Sequence, residues 1–570
     1  MRVLLLAHSF NSLTQRLWVE LEARGHEVSL ELDINDATTT QAVALFAPEL
    51  LIAPFLKRAI PASVWQALPC WVVHPGVVGD RGPSALDWAV LEGEARWGVT
   101  VLQANAEFDA GDVIATREFT LRPAAKGSLY RLELTQAAVA AVFEGIEKLE
   151  RGLPPTPLSA WPGPLPGRAR PLLRQAERAI DWSRDSTATV LGKIRSADGT
   201  PGLADAIDSG AGRLAVHLYD AHAEGHLQGE PGALIARRDE AVCRATVDGA
   251  VWIGSIKLSD QADQPFKVPA TLALGAIAAA LPEAPIALEA RPTRPTWREL
   301  SYEEEGEVGI LHFAFYNGAM STVQCQRLAQ ALREVKRRPT RVLLLAGGPD
   351  FWSNGLHLNV IEAAADPAEE SMRNIEAMDD VVLELLTATD KITIAALQGN
   401  AGAGGVFLAL AADFVWARRG VVLNPHYKGM GNLYGSEYWT YVLPRRVGEQ
   451  QARRITELRL PMETAQAQSL GLLDEAFGAT PAAFLGEARR RAQDMAAAPD
   501  LAERLAAKAD TRRRDEAAKP LAAYRAEELE QMRLNFFGFD PSYHVARSHF
   551  VRKAGKARTP AYLARHRQRR

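Results

Sequence analysis

Ala395-Ala-Leu-Gln-Gly-Asn-Ala-Gly-Ala-Gly-Gly-Val-Phe-Leu-Ala-Leu-Ala-Ala-Asp413 runs from a short apolar strand into an Ala/Leu-rich helix, through a loop with four glycines in seven residues. Glycines leave the backbone bare, so a ligand atom can come close to main-chain N–H groups. A helix N-terminus behind the loop adds positive potential. These are the parts of an oxyanion hole, which binds negative charge developing on a carbonyl oxygen. No Gly-Lys-Ser/Thr follows, which excludes a P-loop, and no Gly-x-Gly-x-x-Gly in register with a later acidic partner supports a dinucleotide site.

Around this loop the pattern is α/β. Strands are expected at 308–313 and 341–345, with a helix at 322–337 between them. After Pro461 the chain reads as almost wholly helical, and its basic tail (551–570) reads as a solvated helix end. At the other end, strand 2–7, a polar loop, helix 13–24 and strand 27–32 begin a doubly wound sheet, with more strands at 50–53 and 70–73. Proline and glycine concentrate at 154–171, a linker signal. Helix 187–196 and short β runs over 213–256 indicate a small appended barrel, and a second proline-rich stretch follows at 282–295.

A net charge of −4 argues against a nucleic-acid partner, and the longest apolar stretch, 271–281, is far too short to span a bilayer. Three widely spaced cysteines form neither a disulfide framework nor a metal cluster, so the expectation is a cytoplasmic protein without a metal site.

Upstream lies a set of spaced motifs: Cys70-Trp-Val-Val-His-Pro-Gly76, Gly79-Asp-Arg-Gly-Pro-Ser84, Gly98-Val-Thr-Val101 and Glu107-Phe-Asp-Ala-Gly-Asp112. An imidazole (His74) and a carboxylate (Asp109) brought together from separate loops can orient and shuttle a proton. The set resembles the formyltetrahydrofolate-dependent transferases, methionyl-tRNA formyltransferases most closely, over about residues 1–257. Ala179-Ile-Asp-Trp-Ser183 is similar to the family's entry into its C-terminal barrel. The resemblance implies 10-formyltetrahydrofolate as one-carbon donor, His74 and Asp109 as catalytic residues, and Pro54, Phe55 and Leu56 along the pterin. Val72 stands where the family has its formyl-binding asparagine, and Arg81 and Ser84 are the expected substitutes.

The glycine loop also has companions: Leu343-Leu-Leu-Ala-Gly-Gly-Pro-Asp-Phe-Trp-Ser-Asn-Gly-Leu-His-Leu358 and Asn317-Gly-Ala-Met-Ser321 before it, and Gly471-Leu-Leu-Asp-Glu475 after it. Together they resemble the crotonase (enoyl-CoA hydratase/isomerase) superfamily over about residues 300–490. The resemblance implies coenzyme A as ligand and an oxyanion hole made by the N–H groups of Leu356 and Gly404. Ser353, Asn354, Gly355, Leu358 and Gly405 would bind the cofactor, the 353–358 segment lining the CoA path. A hydratase needs two glutamates; their positions hold Phe407 and His426, so water addition is not expected. Asn424-Pro-His-Tyr-Lys-Gly-Met-Gly431 and Asn432-Leu-Tyr-Gly-Ser-Glu-Tyr438 instead offer His426, Tyr434 and Glu437 near the acyl pocket, as either catalytic or packing residues. Arginines of the basic tail are an alternative contact for CoA phosphates.

The order of the halves resembles that of a family of hydrogenase maturation factors, and His74-Pro-Gly and the 424–431 motif carry that match. It implies a multidomain α/β enzyme: a Rossmann-like formyltransferase domain (1–165), an OB-like barrel (166–275), a proline-rich linker (276–298), a crotonase-like domain (299–490) and a helical extension with the basic tail (491–570). The implied chemistry is formyl transfer to CoA followed by decarbonylation of formyl-CoA, which makes CO for a [NiFe]-hydrogenase. Its implied partners are small-molecule substrates and other maturation proteins. Two alternatives stay open: a formyltransferase with a non-catalytic CoA-binding half, or a ligand-binding maturation scaffold.

Overall fold

The structure, a computed structural model, describes residues 1–210, 212–259, 261 and 263–568. The chain forms two compact units: residues 1–263, 269–283 and 555–570 make one, and residues 264–268 and 284–554 the other.

The first unit opens with β1 (Arg2–Ala7), α1 (Ser12–Ala23), β2 (Glu27–Leu32), α2 (Asp36–Phe46), β3 (Leu50–Phe55), β4 (Cys70–His74), β5 (Arg96–Gln103), β6 (Val113–Thr120) and α3 (Thr135–Glu150). Their sheet has the order β2-β1-β3-β4-β5-β6. The first four strands are parallel, and β5 and β6 complete the sheet as an antiparallel hairpin. β1 and β3 are continuous apolar runs because helices cover both faces of such a sheet. Asn11 caps α1 by accepting the Thr14 N–H. A single π-helical turn, Tyr130–Leu134, leads into α3.

Next come α4 (Thr187–Ser196), β7 (Leu203–Asp208), β8 (Arg213–Glu224), β9 (Leu234–Arg238), β10 (Ala241–Ala245) and β11 (Ala250–Leu258). These strands form an antiparallel sheet ordered β7-β8-β11-β10-β9. It curls far enough for Arg244 on β10 to reach Asp205 on β7, at 2.7 Å.

Two expectations change here. The stretch 154–171 is not a free linker: Gly167 N–H bonds Val78 O at 2.9 Å, and Arg170 N–H bonds Arg81 O at 2.8 Å. It lies along the His74 loop because that loop has open backbone groups to satisfy. The linker expected at 276–298 begins inside a short helix, Ala276–Ala279, whose Ala278 is buried in the barrel core.

The basic tail differs more. Beyond Ala554 it does not continue as a solvated helix but packs on β2, an edge strand. Leu30 N–H bonds Leu563 O at 3.0 Å, and Leu32 N–H bonds Thr559 Oγ1 at 2.9 Å. Buried Glu31 takes His566, Arg567 and Thr559 together. A buried carboxylate on an edge strand calls for such partners, and the tail provides them. Arg569 and Arg570 lie outside the described residues.

The second unit is built on β12 (Leu300–Glu305), β13 (Val308–Phe313), α5 (Thr322–Lys336), β14 (Val342–Gly347), β15 (Phe351–Ser353), α6 (Pro367–Leu386), β16 (Ile392–Leu397), β17 (Asn400–Gly402), α7 (Gly404–Leu410), β18 (Phe414–Arg418), β19 (Val422–Asn424), β20 (Met462–Glu463), β21 (Glu475–Phe477) and α8 (Leu521–Phe537). One sheet runs β12-β13-β14-β16-β18-β21, and a smaller one runs β15-β17-β19-β20. A strand of each sheet, β16 and then β17, comes just before the glycine-rich entry to α7. Among the described residues, no helix is long and apolar enough to cross a membrane.

Candidate active sites

His74 is the last residue of β4, and Asp109 sits in the β5–β6 turn with a left-handed φ of 55°. The structure brings them together: His74 Nδ1 lies 3.3 Å from Asp109 Oδ1. The other ring nitrogen, Nε2, is held 2.9 Å from Asp80 Oδ1, and Arg170 grips the second Asp80 oxygen at 2.8 Å. His74 is 3% exposed and Asp80 1%. Gly76 permits this packing, because a Cβ there would overlap both His74 Nε2 and Asp80 Oδ1. Burial alone would disfavour charge on the imidazole. The hydrogen bonds and charges of Asp109 and Asp80 outweigh it and raise the His74 pKa to about 9. Burial pushes Asp109 upward, but its bond to His74 and the Gly82 N–H win and hold it below the usual carboxylate range.

Val72 packs with the apolar cluster beside β4 and carries no polar group. Ser84 is buried and accepts the Leu173 N–H at 3.1 Å, and Arg81 pairs with Glu107 at 2.7 Å. The 54–56 segment ends β3 between two rings, with Phe55 6.1 Å from His8 and 6.2 Å from Tyr130.

In the second unit the structure brings the two glycine loops side by side. A Cβ on Gly355 would stand 3.4 Å from the Gly404 nitrogen. Leu356 is fixed by a bridge to Met320: Met320 N–H bonds Gly355 O, and His357 N–H bonds Met320 O. Among the described residues neither the Leu356 N–H nor the Gly404 N–H has a protein acceptor, so both are free for a carbonyl oxygen. Ala403, just before Gly404, holds a φ of 47°, a strained position for a residue with a Cβ. Ser353 turns inward, its hydroxyl accepting the Gly355 N–H. Gly405 allows α7 to lie on the Ser353 carbonyl. Asn354 is exposed and bonds Asn317 O, and Leu358 opens a short helix.

The sequence candidates separate. The Glu437 carboxyl lies against Gly404, where a Cβ would overlap its Oε1. It is 1% exposed, and Glu437 and Tyr438 are consecutive left-handed residues at φ 58° and 55°. The Tyr427 hydroxyl lies 2.5 Å from Glu437 Oε2, and its ring stacks on Phe407 at 5.1 Å. Burial, then the nearby Asp379 charge, raise the Glu437 pKa to about 8. Tyr434 leans on Trp439, 5.4 Å between centroids, and its backbone is held by Asn535. Burial lowers His426 to about 4, so its ring is neutral, and its buried Nδ1 has no partner among the described residues.

Sequence reasoning missed Asp80, Arg170, Tyr427, Asp379 and Glu528. Asp80 and Tyr427 lie inside the quoted motifs. Nothing in the local pattern marked Arg170, Asp379 or Glu528, which act across 58 to 92 residues of chain.

A hydrogenase maturation factor HoxX from Bradyrhizobium diazoefficiens is 55% identical over the whole of this chain and 98% of its own length. The chain belongs to this HypX/HoxX family of hydrogenase maturation factors. A crystal structure of the family's member from Aquifex aeolicus, HypX in complex with tetrahydrofolic acid, superposes with a TM-score of 0.95 at 47% identity, covering 100% of this chain and 99% of that one. Family models described as formyl transferase (29–137), formyl transferase C-terminal domain (172–269) and enoyl-CoA hydratase/isomerase (313–535) match in turn. A methionyl-tRNA formyltransferase from Stenotrophomonas maltophilia is 27% identical over 41% of this chain and 75% of its own. Members of the family thus join formyltransferase domains to a crotonase-like domain.

Proposed function

We propose that this family member makes CO from 10-formyltetrahydrofolate in two reactions, with CoA regenerated. In the first, the formyl group moves from folate N10 to the CoA sulfur. A C–S bond forms, the C–N bond breaks, and the thiol proton ends on N10. Asp109, the more exposed carboxylate beside His74, takes the thiol proton. Once Asp109 carries that proton, the His74 imidazolium is left with one carboxylate partner, Asp80, and its charge stabilises the tetrahedral oxyanion. A fixed cation can do this where Val72 supplies no amide. The tetrahydrofolate bound by the Aquifex aeolicus relative supports a folate substrate.

In the second reaction formyl-CoA becomes CO and CoA. The Leu356 and Gly404 N–H groups hold the thioester oxygen. Glu437 removes the formyl proton as the C–S bond breaks, then returns it to the thiolate. The observation that carries this reading is the buried Glu437 carboxyl set against Gly404, one of the two free N–H groups. It favours Glu437 over Tyr434 and His426, for which no such contact with the loop is found among the described residues. Phe407 and His426, in the hydratase glutamate positions, leave no carboxylate pair for water addition.

The test supplies ¹³C-formyltetrahydrofolate and CoA and measures ¹³CO. The reading expects ¹³CO from the native protein, its loss in Asp109→Ala, and formyl-CoA or formate without CO in Glu437→Gln. Formyl-CoA from the native protein with no CO would leave a plain formyltransferase. No turnover of any kind would leave a ligand-binding scaffold.

A further inference from the structure

Behind Glu437 lie two more buried carboxyl groups that the proposed reaction does not use. Asp379 comes from α6 and Glu528 from α8, and both are 0% exposed. They meet at one hydroxyl. Ser436 Oγ is 2.9 Å from each Asp379 oxygen and 3.2 Å from Glu528 Oε2. The Glu437 N–H bonds Asp379 Oδ1 at 2.8 Å, and the Thr440 N–H and hydroxyl bond Glu528 Oε1.

Counting protons decides what this cluster is. A serine hydroxyl has one proton, so it donates to one carboxyl. Its oxygen can approach the second carboxyl favourably only if that group donates a proton in turn. Two carboxylates facing one hydroxyl leave a lone-pair contact in a buried place, which is costly. One proton on the pair resolves the contact. The nearest cation, Arg525, lies 3.6 Å from Asp379 but 2.7 Å from Asp380, so it does not neutralise the pair outright. The titratable groups acting on Glu437 are then Tyr427 from its own loop region, Asp379 from α6 and Glu528 from α8, while Arg525 from α8 and Asp380 from α6 stand beside Asp379.

We propose that Asp379 and Glu528 are positioning residues that share one proton through Ser436 Oγ, and that their single remaining negative charge makes Glu437 a stronger base. The proposal rests on the reading of Glu437 as the group that takes the formyl proton. The raised pKa values, about 7 for Asp379 and about 8 for Glu528, each from burial first, agree with a protonated partner near neutrality.

A shared proton has a signature that separate charges lack. Asp379→Asn or Glu528→Gln alone leaves one ionised carboxylate, so the pair keeps its single charge. The double variant removes that charge. CO release from supplied formyl-CoA is measured against pH in each, with thermal melts to confirm folding. The native rate is expected to rise through about pH 8, where Glu437 loses its proton. Each single variant keeps that rise in place. The double variant moves it toward acid by about one pH unit. Equal, additive shifts from the two single variants, or no shift in the double, would overturn the proposal.

Infrared difference spectroscopy in a Glu437→Gln background tests the proton without any turnover. A carboxylic-acid C=O band at neutral pH that disappears when Asp379→Asn is added is expected; a band unaffected by that change overturns the shared proton. Should Glu437→Gln still make CO, the base assignment fails, while the infrared band still decides the pair.

Discussion

A methyl group on Gly404 would overlap the Glu437 carboxyl, yet Gly404 opens a helix where alanine is otherwise welcome. Gly404→Ala should therefore keep the fold and lose CO release by about 10²-fold or more, the usual scale for a damaged oxyanion hole. Unchanged CO release with an intact melt would remove Gly404 from the site. At His74 the sign is also set by structure. Its pKa is raised from 6.5 to about 9, so the imidazolium persists through neutrality and is lost as pH rises through about 9. Formyl transfer should fall across that range. Asp80→Asn removes one of the two carboxylates, so the fall should move to lower pH, read in a Glu437→Gln background as formyl-CoA formed at each pH. A fall that stays in place would show that Asp80 does not hold the proton.

Elements decide how those residues are aimed. α8 places Glu528 on Ser436 and Thr440, Met532 on the Gly435 N–H and Asn535 on the Tyr434 N–H. A helix that reads as an extension is thus the back wall of the 434–440 loop. Much of the architecture was legible in the sequence, because the spaced glycine motifs and apolar strands each impose their own local geometry. The candidate site was half legible. His74, Asp109, Leu356, Gly404 and Glu437 sit in or at the edge of loops whose glycines advertise close approach. Arg170, Asp379 and Glu528 do not, because a lone charge in a proline-rich stretch or on a helix reads as a solvated surface until the fold buries it. The tail was misread for the same reason: arginines at 565 and 567 suggest solvent, yet their partners Glu22 and Glu31 lie at the far end of the chain. Removing one side of that network should be costly. Glu31→Ala strips His566, Thr559 and Arg567 of their shared acceptor, and about 1–3 kcal/mol is typical for leaving a buried donor unsatisfied. Hydrogen exchange at the Leu30 and Leu32 amides, which bond the tail, should accelerate; unchanged protection would mean that the tail does not hold β2.

For the whole molecule, the raised pKa groups combine into one pH trend. Asp379, Glu437 and Glu528 move from ordinary values of 3.8, 4.5 and 4.5 up to about 7, 8 and 8. A raised folded-state pKa gives stability that is full below the ordinary value and is lost as pH rises through the raised one. His74 follows the same rule between 6.5 and about 9. The protein should therefore melt at a lower temperature near pH 8.5 than near pH 7, a span in which the buried neutral histidines, already uncharged in both states, add nothing. Glu437→Gln, which cannot ionise, should flatten the dependence. A melting temperature that climbs with pH over that span would show that these groups are ionised in the fold.

The seam between β2 and the tail also sets an order of events during synthesis. Ser29 meets His566 across 537 residues of chain, so the outer rim of the first sheet emerges from the ribosome long before its cover exists. At about 5–20 residues per second that delay is on the order of half a minute to two minutes. Through that interval the nascent first unit exposes a bare strand with an unpaired glutamate near its C-terminal end. An unpartnered charge on an open edge discourages other strands from docking there. Glu31 thus guards the half-made protein against its neighbours, and becomes the anchor that closes it once the tail arrives.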